Sequence, residues 1–506
     1  MGSFLLRGII MEKLKDKKYI ISRIVLTALM FVAFLAFFSA LWYSVVFQDV
    51  GFDGLIFTVF AGVGGVQDGI VWGWLLWGLL PAVILTAVIS VLFFVVMYKK
   101  SRKKSQDSFY KTRVIAITLS IVITVSFVLS AGGLVHLYRW INGAINQTDI
   151  YEKEYVSPDN VKITFPEQKR NLIYIFMESM ETTFTIEGKG GAIKDDCIPN
   201  LYNLANENIN FSHNSSFGGG RDITGATWTA AAMVSHTAAI PMAFPLAVET
   251  KLEGNILPAA TNITQVLNKN GYKQAILFGS DKAYGGRDIF FEKRNVDKIY
   301  DIYTAYEDGI VPKGYWQWWG MEDKHLYSYA KNILTDLSKG DEPFSFTMLT
   351  ADTHHVDGYK CSLCKDEFSE QYSNVYSCAD RQILSFIEWI KQQPFYENTT
   401  IVITGDHLSM DYRYIVKNVD ENYTRRVYNC FINSAVGTEY SKNREFVTMD
   451  MFPTTLAALG CEIEGNKLGL GTNLFSGEKT LSEKYGYDTF NAELSKTSEF
   501  YNTQFD

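Results

Sequence analysis

This 506-residue chain is first described by what it has little of. There is no internal repeat of fixed period, which excludes a solenoid or propeller array. There is no basic excess: the net charge is −8, so nucleic acid is not the expected main partner. Cysteine is sparse, with six residues, too few at this length for a disulfide scaffold by density alone. No small-residue cleavage site follows the first apolar stretch, which therefore reads as a retained anchor and not a removed signal. Histidine is scarce too, and two of the seven stand side by side at His354 and His355.

What is present in quantity is apolar: 47% hydrophobic and 14% aromatic residues, the composition of a membrane protein with a large soluble part. Length allows two or three domains. Three runs are apolar enough to span a bilayer, at about 20–47, 71–98 and 114–134. At ~1.5 Å per residue the first covers roughly 40 Å, more than the ~30 Å of a hydrocarbon core. Residues 51–71 carry Asp53, Asp68 and several glycines, and read as an external interfacial segment. Lysines and arginines cluster before the first span (Arg7, Lys13, Lys15, Lys17, Lys18, Arg23) and between the second and third (Lys99 to Arg113). The positive-inside rule places both clusters in the cytoplasm, so an odd number of spans leaves everything after about residue 135 outside. Residues 136–169 read as a juxtamembrane linker lying along the interface, and 170–506 as the extracytoplasmic domain.

From Asn171 the pattern alternates between short apolar strands and helices, the mark of an α/β domain with a largely parallel sheet. Strands are expected at 171–177, 273–278, 344–350 and 400–404. Helices are expected at 199–206, 263–270, 324–339, 378–392 and 451–460. Four strands end in chemically capable residues: Glu178, Asp281, His354 and Asp406. Open α/β sheets bind ligands beyond the carboxyl ends of their strands. Between the first two strands lies FGGGRDITGATWTAAAMVS, a glycine-rich stretch running into a helix, in which Gly218, Gly219, Gly220 and Gly225 are expected to keep the entry flexible and bare. Thr229 falls at the helix start, where unpaired N–H groups and the dipole favour anions. Thr227 or Thr229 would serve equally well there as a plain helix cap.

Carboxylates, a histidine and a threonine hydroxyl suit one divalent cation, Mn²⁺, Mg²⁺ or Zn²⁺. Such an ion turns a bound hydroxyl into a nucleophile near neutral pH and neutralises phosphoryl charge. Phosphate-ester cleavage demands rate enhancements of order 10¹⁷, and one general base supplies perhaps 10²–10⁴. Metal activation with covalent catalysis is the more adequate account. Arg287 would grip a phosphate in bidentate fashion or sit as an ordinary surface arginine.

Four separated motifs, NLIYIFMES, GATWTAAAMVS, TADTHHVDGY and ITGDHLSMD, resemble in order those of the lipoteichoic acid synthase and phosphoglycerol transferase I family. That family lies within the alkaline phosphatase and sulfatase superfamily. The resemblance covers about residues 165–480 and is closer to the phosphoglycerol transferase I branch. It implies an external enzyme that moves glycerol phosphate from phosphatidylglycerol to a glycan or polyglycerol phosphate, leaving diacylglycerol in the bilayer. By motif it implies Thr229 as nucleophile and metal ligand, with Glu178, Asp406 and His407 as the other ligands and Mn²⁺ as the usual ion. It implies glycerophosphate contacts for His354 and His355, and for Arg287 and Asp281, where the spacing departs from the polymerase pattern.

A sulfatase with a formylglycine needs Cys-x-Pro-x-Arg; Cys197-Ile-Pro-Asn is followed by Leu201, which weighs against it. A two-metal phosphatase needs a second ligand set, and no convincing one is found. A phosphoethanolamine transferase and a non-catalytic tethered binding domain stand as alternatives. Cys361-x-x-Cys364 with Cys378 suits either three zinc ligands or one disulfide with a spare thiol; an external location favours a bridge stapling the loop after His355.

Overall fold

The computed structural model describes residues 17–47, 51–52, 54–56, 68–101, 106–243, 249 and 251–505. The basic residues Arg7, Lys13, Lys15 and Arg102 to Lys104, and most of the segment expected at the interface, lie outside the described residues. The chain divides into two compact units, residues 1–51 with 67–139, and residues 52–66 with 140–506.

The first unit contains three long helices. Helix α1 is Lys17–Val46. Helix α2 begins at Asp68, passes through one wide π-type stretch at Leu75–Leu79 and ends at Ser101; α3 is Gln106–Leu134. Each is long and apolar enough to cross a membrane, over Ile20–Val46, Gly69–Lys100 and Tyr110–Leu134. Ile24, Val88 and Leu129 point outward, as lipid-facing side chains do. Where helices meet, the contacts are aromatic and small-polar: Phe34 packs edge-on against Phe127 at 4.7 Å, and the Trp74 indole donates to Ser39 Oγ at 2.9 Å. This is a membrane protein.

The second unit is built on a six-stranded sheet. Its strands are β1 (Asn171–Met177), β2 (Lys273–Phe278), β3 (Lys298–Tyr300), β4 (Phe344–Leu349), β5 (Thr399–Gly405) and β6 (Asn429–Ile432). The spatial order is β3-β2-β4-β1-β5-β6. All pairings are parallel except β5 with β6. Every residue of β1 is buried, because helices cover both faces. Tyr174 and Phe176 pack with Ala231, Val234 and Leu456, while Ile173 and Ile175 pack with Ile333, Tyr376 and Ile387. This two-sided burial explains the unbroken apolar run in the sequence.

Register delivers the site. Met177 lies opposite Gly405, and Phe176 opposite Leu349. The residues that follow β1 and β5, Glu178 and Asp406, therefore leave the same sheet edge side by side. Gly405 permits the approach: a Cβ there would stand 1.8 Å from the Met180 carbonyl oxygen.

Two expectations give way here. The stretch read as a juxtamembrane linker joins the second unit from Trp140 onward. Tyr151 is 1% exposed and donates to the Leu494 carbonyl, and Glu154 accepts from Lys484 and Tyr485. The glycine triplet is not a flexible entry either. Gly218 to Gly220 are buried, and a Cβ on Gly219 would stand 2.0 Å from the Val427 carbonyl oxygen. The triplet is small so that the loop can lie flat on the backbone beside β6, where Gly220 bridges Val427.

Candidate active site

Helix α4 (Thr229–Ala238) starts at the same sheet edge. Trp228 is its N-cap residue and makes no side-chain cap bond. The Thr229 hydroxyl therefore does not cap; it donates to Glu178 Oε2 at 3.2 Å and lies 3.3 Å from His407 Nε2. That choice sets the cap reading aside.

Glu178, Asp406 and His407 are all buried, and their ligand atoms converge within 4.8 Å. His407 Nδ1 lies 2.8 Å from the Leu408 carbonyl oxygen, which only accepts, so Nδ1 carries a proton and Nε2 is the nitrogen that faces the carboxylates. Nε2 sits 3.5 Å from Glu178 Oε1 and 3.3 Å from Asp406 Oδ2. Asp406 Oδ1 accepts from the backbone N–H groups of Ser179 and His407, at 2.8 and 2.9 Å. Its Oδ2 is buried without a hydrogen-bond partner among the described residues. Lone pairs aimed at one another in a dry site repel unless positive charge lies among them. A proton on His407 Nε2 or a bound cation supplies that charge. Burial and the Glu178 carboxylate push Asp406 up to about 7. Burial pulls the His407 imidazole down, but Asp406 and Glu178 more than offset it and leave it above its ordinary value. The donor set of two carboxylates, one imidazole and one hydroxyl fits a single divalent cation.

Supporting contacts that sequence reasoning missed hold this group in place. Ser179, at φ 55°, donates its hydroxyl to Glu178 Oε1 at 2.8 Å. Thr353 donates to the Glu178 carbonyl at 2.5 Å, and Thr350 Oγ1 accepts from the Glu178 N–H at 3.0 Å. His236 on α4 lies 3.2 Å from the Asp406 carbonyl oxygen. Their only sequence signal is adjacency to the motif residues.

His354 stacks with His355 at 4.3 Å and tilts against Trp319 at 4.5 Å. Its Nδ1 lies 2.7 Å from the His355 carbonyl oxygen, so Nε2 is the acceptor; burial holds the ring neutral, pulling it down to about 4. His355 is buried beside it and pulled well below the usual range by burial. Arg287 is 4% exposed and uses its donors on its own loop: the Tyr284 and Asp281 carbonyls and the Ser280 hydroxyl. Burial lowers its guanidinium to about 10, against an attraction from Tyr284 and Glu178. Asp281 is half-buried; its carboxylate accepts from Ala283 N–H at 2.8 Å and faces the Tyr303 hydroxyl. Among the described residues, neither the Arg287 nor the Asp281 side chain bonds to Glu178, Thr229, Asp406 or His407.

Behind this site Asp323 and Asp352 form a second buried carboxyl pair. Asp323 accepts from the backbone of Ala351 and Asp352, and Asp352 Oδ1 accepts from Asp323 N–H at 3.1 Å. Burial pushes Asp323 up to about 7; burial and the Asp323 charge push Asp352 well above the usual range. Both carboxyls hold their protons to higher pH than a free aspartate does. Between the unfolded value near 4 and the folded values, the folded chain binds more protons than the unfolded one, so stability falls as pH rises through that window. Asp352→Asn carries no titrating proton and is expected to flatten that fall. Unfolding midpoints of both proteins across pH measure it. Asp380, Asp406 and Asp450, each also raised to about 7, are common to both curves and cancel. Parallel curves would show that the pair is not the source.

The chain matches the family model described as Sulfatase over residues 170–461, more than half its length. The chain belongs to the sulfatase family. Cys197, in the segment that lacks the arginine of the formylglycine motif, is buried with Ile198 and Leu201 in the apolar cluster on the sheet face opposite α4, and Thr229 stands at the carboxylates. Among curated proteins, the chain is similar to phosphoglycerol transferase I of Escherichia coli strain 536 and of Shigella boydii serotype 18. Each is 29% identical over 325 residues, which cover 62% of this chain and 40% of the relative. The chain thus spans well under half the length of those relatives. Among solved structures it is similar to the lipoteichoic acid synthase LtaP from Listeria monocytogenes (20% identity, TM-score 0.48, 62% of this chain and 79% of that one). It is also similar to the lipooligosaccharide phosphoethanolamine transferase EptA from Neisseria meningitidis (12% identity, TM-score 0.49, 86% of this chain and 84% of that one).

Proposed function

We propose that this chain is a membrane-anchored phosphotransferase that takes glycerol phosphate from phosphatidylglycerol and passes it to an envelope glycan or a polyglycerol phosphate. The carrying observation is the Thr229 hydroxyl, free of any capping role, set between Glu178 and His407 at a helix N-terminus. The curated relatives are phosphoglycerol transferases, which supports the same transferred group. The lysine and arginine clusters around the spans support an extracytoplasmic face for the catalytic unit, and the spans would hold it where the lipid donor is concentrated.

Glu178, Thr229, Asp406 and His407 would hold one divalent cation, Mn²⁺ by family resemblance, which when bound lowers the hydroxyl pKa and neutralises phosphoryl charge. Thr229 Oγ attacks phosphorus, its proton leaving toward Glu178 Oε2, to which it is already bonded. The Oγ–P bond forms and the bond from phosphorus to the diacylglycerol oxygen breaks; that oxygen takes a proton from water. Unpaired N–H groups at the start of α4 receive the phosphoryl oxygens. Neutral His354 accepts a hydrogen bond from a glycerol hydroxyl at Nε2, with His355 fixing its ring. Arg287 contributes positive field toward Glu178, and Asp281 enters through the carbonyl that holds Arg287. An acceptor hydroxyl then displaces threonine: the acceptor O–P bond forms and the Oγ–P bond breaks, Thr229 Oγ takes back the proton held by Glu178, and the acceptor's proton goes to the hydroxide left by the first step.

The test uses the detergent-solubilised chain with Mn²⁺ and head-group-labelled phosphatidylglycerol, beside phosphatidylethanolamine and a sulfate ester. Diacylglycerol release from phosphatidylglycerol alone, with label recovered on Thr229, is expected. Turnover of phosphatidylethanolamine instead would move the chain to the neighbouring transferase class. No turnover with no bound metal would favour the tethered binding domain.

A further inference from the structure

Away from the carboxylates, the loop that carries His354 and His355 runs to Cys361 and Cys364 and then into helix α5 (Gln371–Lys391), which contains Cys378. The three sulfurs form one cluster. Cys361 Sγ lies 3.7 Å from Cys364 Sγ and 3.8 Å from Cys378 Sγ, and all three fall within 4.8 Å of one another. At a zinc–sulfur distance of about 2.3 Å, the edge of a coordination tetrahedron is about 3.8 Å. Two of the three separations match that edge. Cys361 and Cys378 are buried and Cys364 is half-buried.

The surroundings are those of bound thiolates. The backbone N–H groups of Leu363 and Cys364 turn back onto the Cys361 sulfur, as the two-residue spacing allows. Gln382 donates its side-chain amide to Cys378 Sγ at 3.5 Å and to Cys361 Sγ at 3.9 Å. Three thiolates around a divalent ion carry one net negative charge. Lys324, which bonds Ser362 of the same loop, and Arg381, one turn along α5 from Cys378, lie on the side that offsets it. A surface pocket of about 330 Å³, lined by Lys324, Leu363, Cys378, Arg381 and Gln382, leaves room for a small fourth donor. The remaining cysteines differ: Cys197, Cys430 and Cys461 are buried, and none of them joins this sulfur cluster.

A disulfide would use two of these sulfurs and leave the third as an odd buried or half-buried thiol. The two partners of Cys361 stand at nearly equal distances, so the geometry selects neither pair. A metal ion uses all three. We infer that Cys361, Cys364 and Cys378 bind one zinc-class ion as three thiolates, with water or a small anion in the fourth position, and that this ion staples the loop after His355 to α5. The site is separate from the Glu178–Asp406–His407 group, and its existence does not depend on the donor proposed above.

The experiment takes the full chain, purified in detergent without reductant, measures its zinc content, strips it and reloads it with Co²⁺. Thiolate-to-cobalt charge-transfer absorption reports sulfur ligation alone, because the carboxylate site contains no sulfur. The expected result is the charge-transfer band in the wild type and in Asp406→Asn, with loss of the band and of one ion per chain in Cys364→Ser and in Cys378→Ser. Cys364 is half-buried, so its variant folds even if the Cys378 variant does not. No band in the wild type at excess Co²⁺ would overturn the inference. So would peptide mapping of the isolated chain that finds any two of the three cysteines joined in a disulfide.

Discussion

Thr229→Ala is expected to lower diacylglycerol release from phosphatidylglycerol by about 10⁴-fold or more, with the unfolding midpoint unchanged. The catalytic half follows from a reaction routed through the hydroxyl: without it the remaining groups can bind and polarise but cannot form the covalent intermediate. The stability half follows from the local structure. Among the described residues the hydroxyl bonds only Glu178 and His407, the helix gains no side-chain cap from Trp228 or Thr229, and alanine is the better helix former. Thr229→Ser keeps the hydroxyl and is expected to retain measurable turnover. The double variant Thr229→Ala, His407→Ala is expected to be no slower than Thr229→Ala, since groups that act as a unit do not add. Values of kcat/KM for the set, beside melting curves, check this. Thr229→Ala within about tenfold of wild type would remove the covalent route and leave water as the nucleophile.

The sequence shows the ends of the strands far better than it shows how they are arranged. NLIYIFME reads as a buried strand because both faces of β1 are covered, and it ends at Glu178 in the structure as in the pattern. KQAILF ends at Phe278 as in the pattern, and the strand expected as FSFTMLT stops one residue earlier, at Leu349. What brings Glu178 beside Asp406 is the pairing of Met177 with Gly405, set by parallel register between segments more than 220 residues apart. No local periodicity encodes that. Short or exceptional strands were invisible: β3 has three residues and β6 runs antiparallel. The glycine triplet misled because glycine marks a tight backbone approach as readily as a mobile loop, and here the neighbour is Val427. Residues from Trp140 onward look like a linker because their apolar side chains are few, yet Ile150 and Tyr151 are enough to seat them in the core. The cysteine spacing was plain, but α5 begins at Gln371 and not at Cys378. That places Cys378 two turns inside a rigid element, where its sulfur meets the other two.

Arg294→Met is expected to cost about 3–5 kcal/mol of stability, the largest effect anticipated from any substitution away from the site. Arg294 is the bulkiest fully buried side chain of the domain, at 1% exposure, and among the described residues it has no carboxylate partner. Its guanidinium donates to the carbonyls of Ala260, Phe290, Ile256 and Leu257, and lies 3.9 Å above the Phe290 ring. Burial pulls it down to about 9, so it remains charged at neutrality, stabilised by carbonyl dipoles and the Phe290 ring. Methionine fills much of the volume but donates nothing, so the Ala260, Phe290 and Ile256 carbonyls lose their guanidinium donors, while Leu257 keeps the Ala260 N–H. Arg294→Lys keeps one compact donor group in place of a planar fork and recovers only part of the loss. The urea midpoint at constant slope measures both. The four carbonyls tie residues 256–260 to the helix Arg287–Glu292, which begins at the arginine whose field reaches Glu178. Loosening of that tie should therefore also reduce turnover in the fraction that stays folded. Wild-type stability in Arg294→Met would mean that water enters and satisfies the carbonyls, and that the loop does not need the arginine to hold its place.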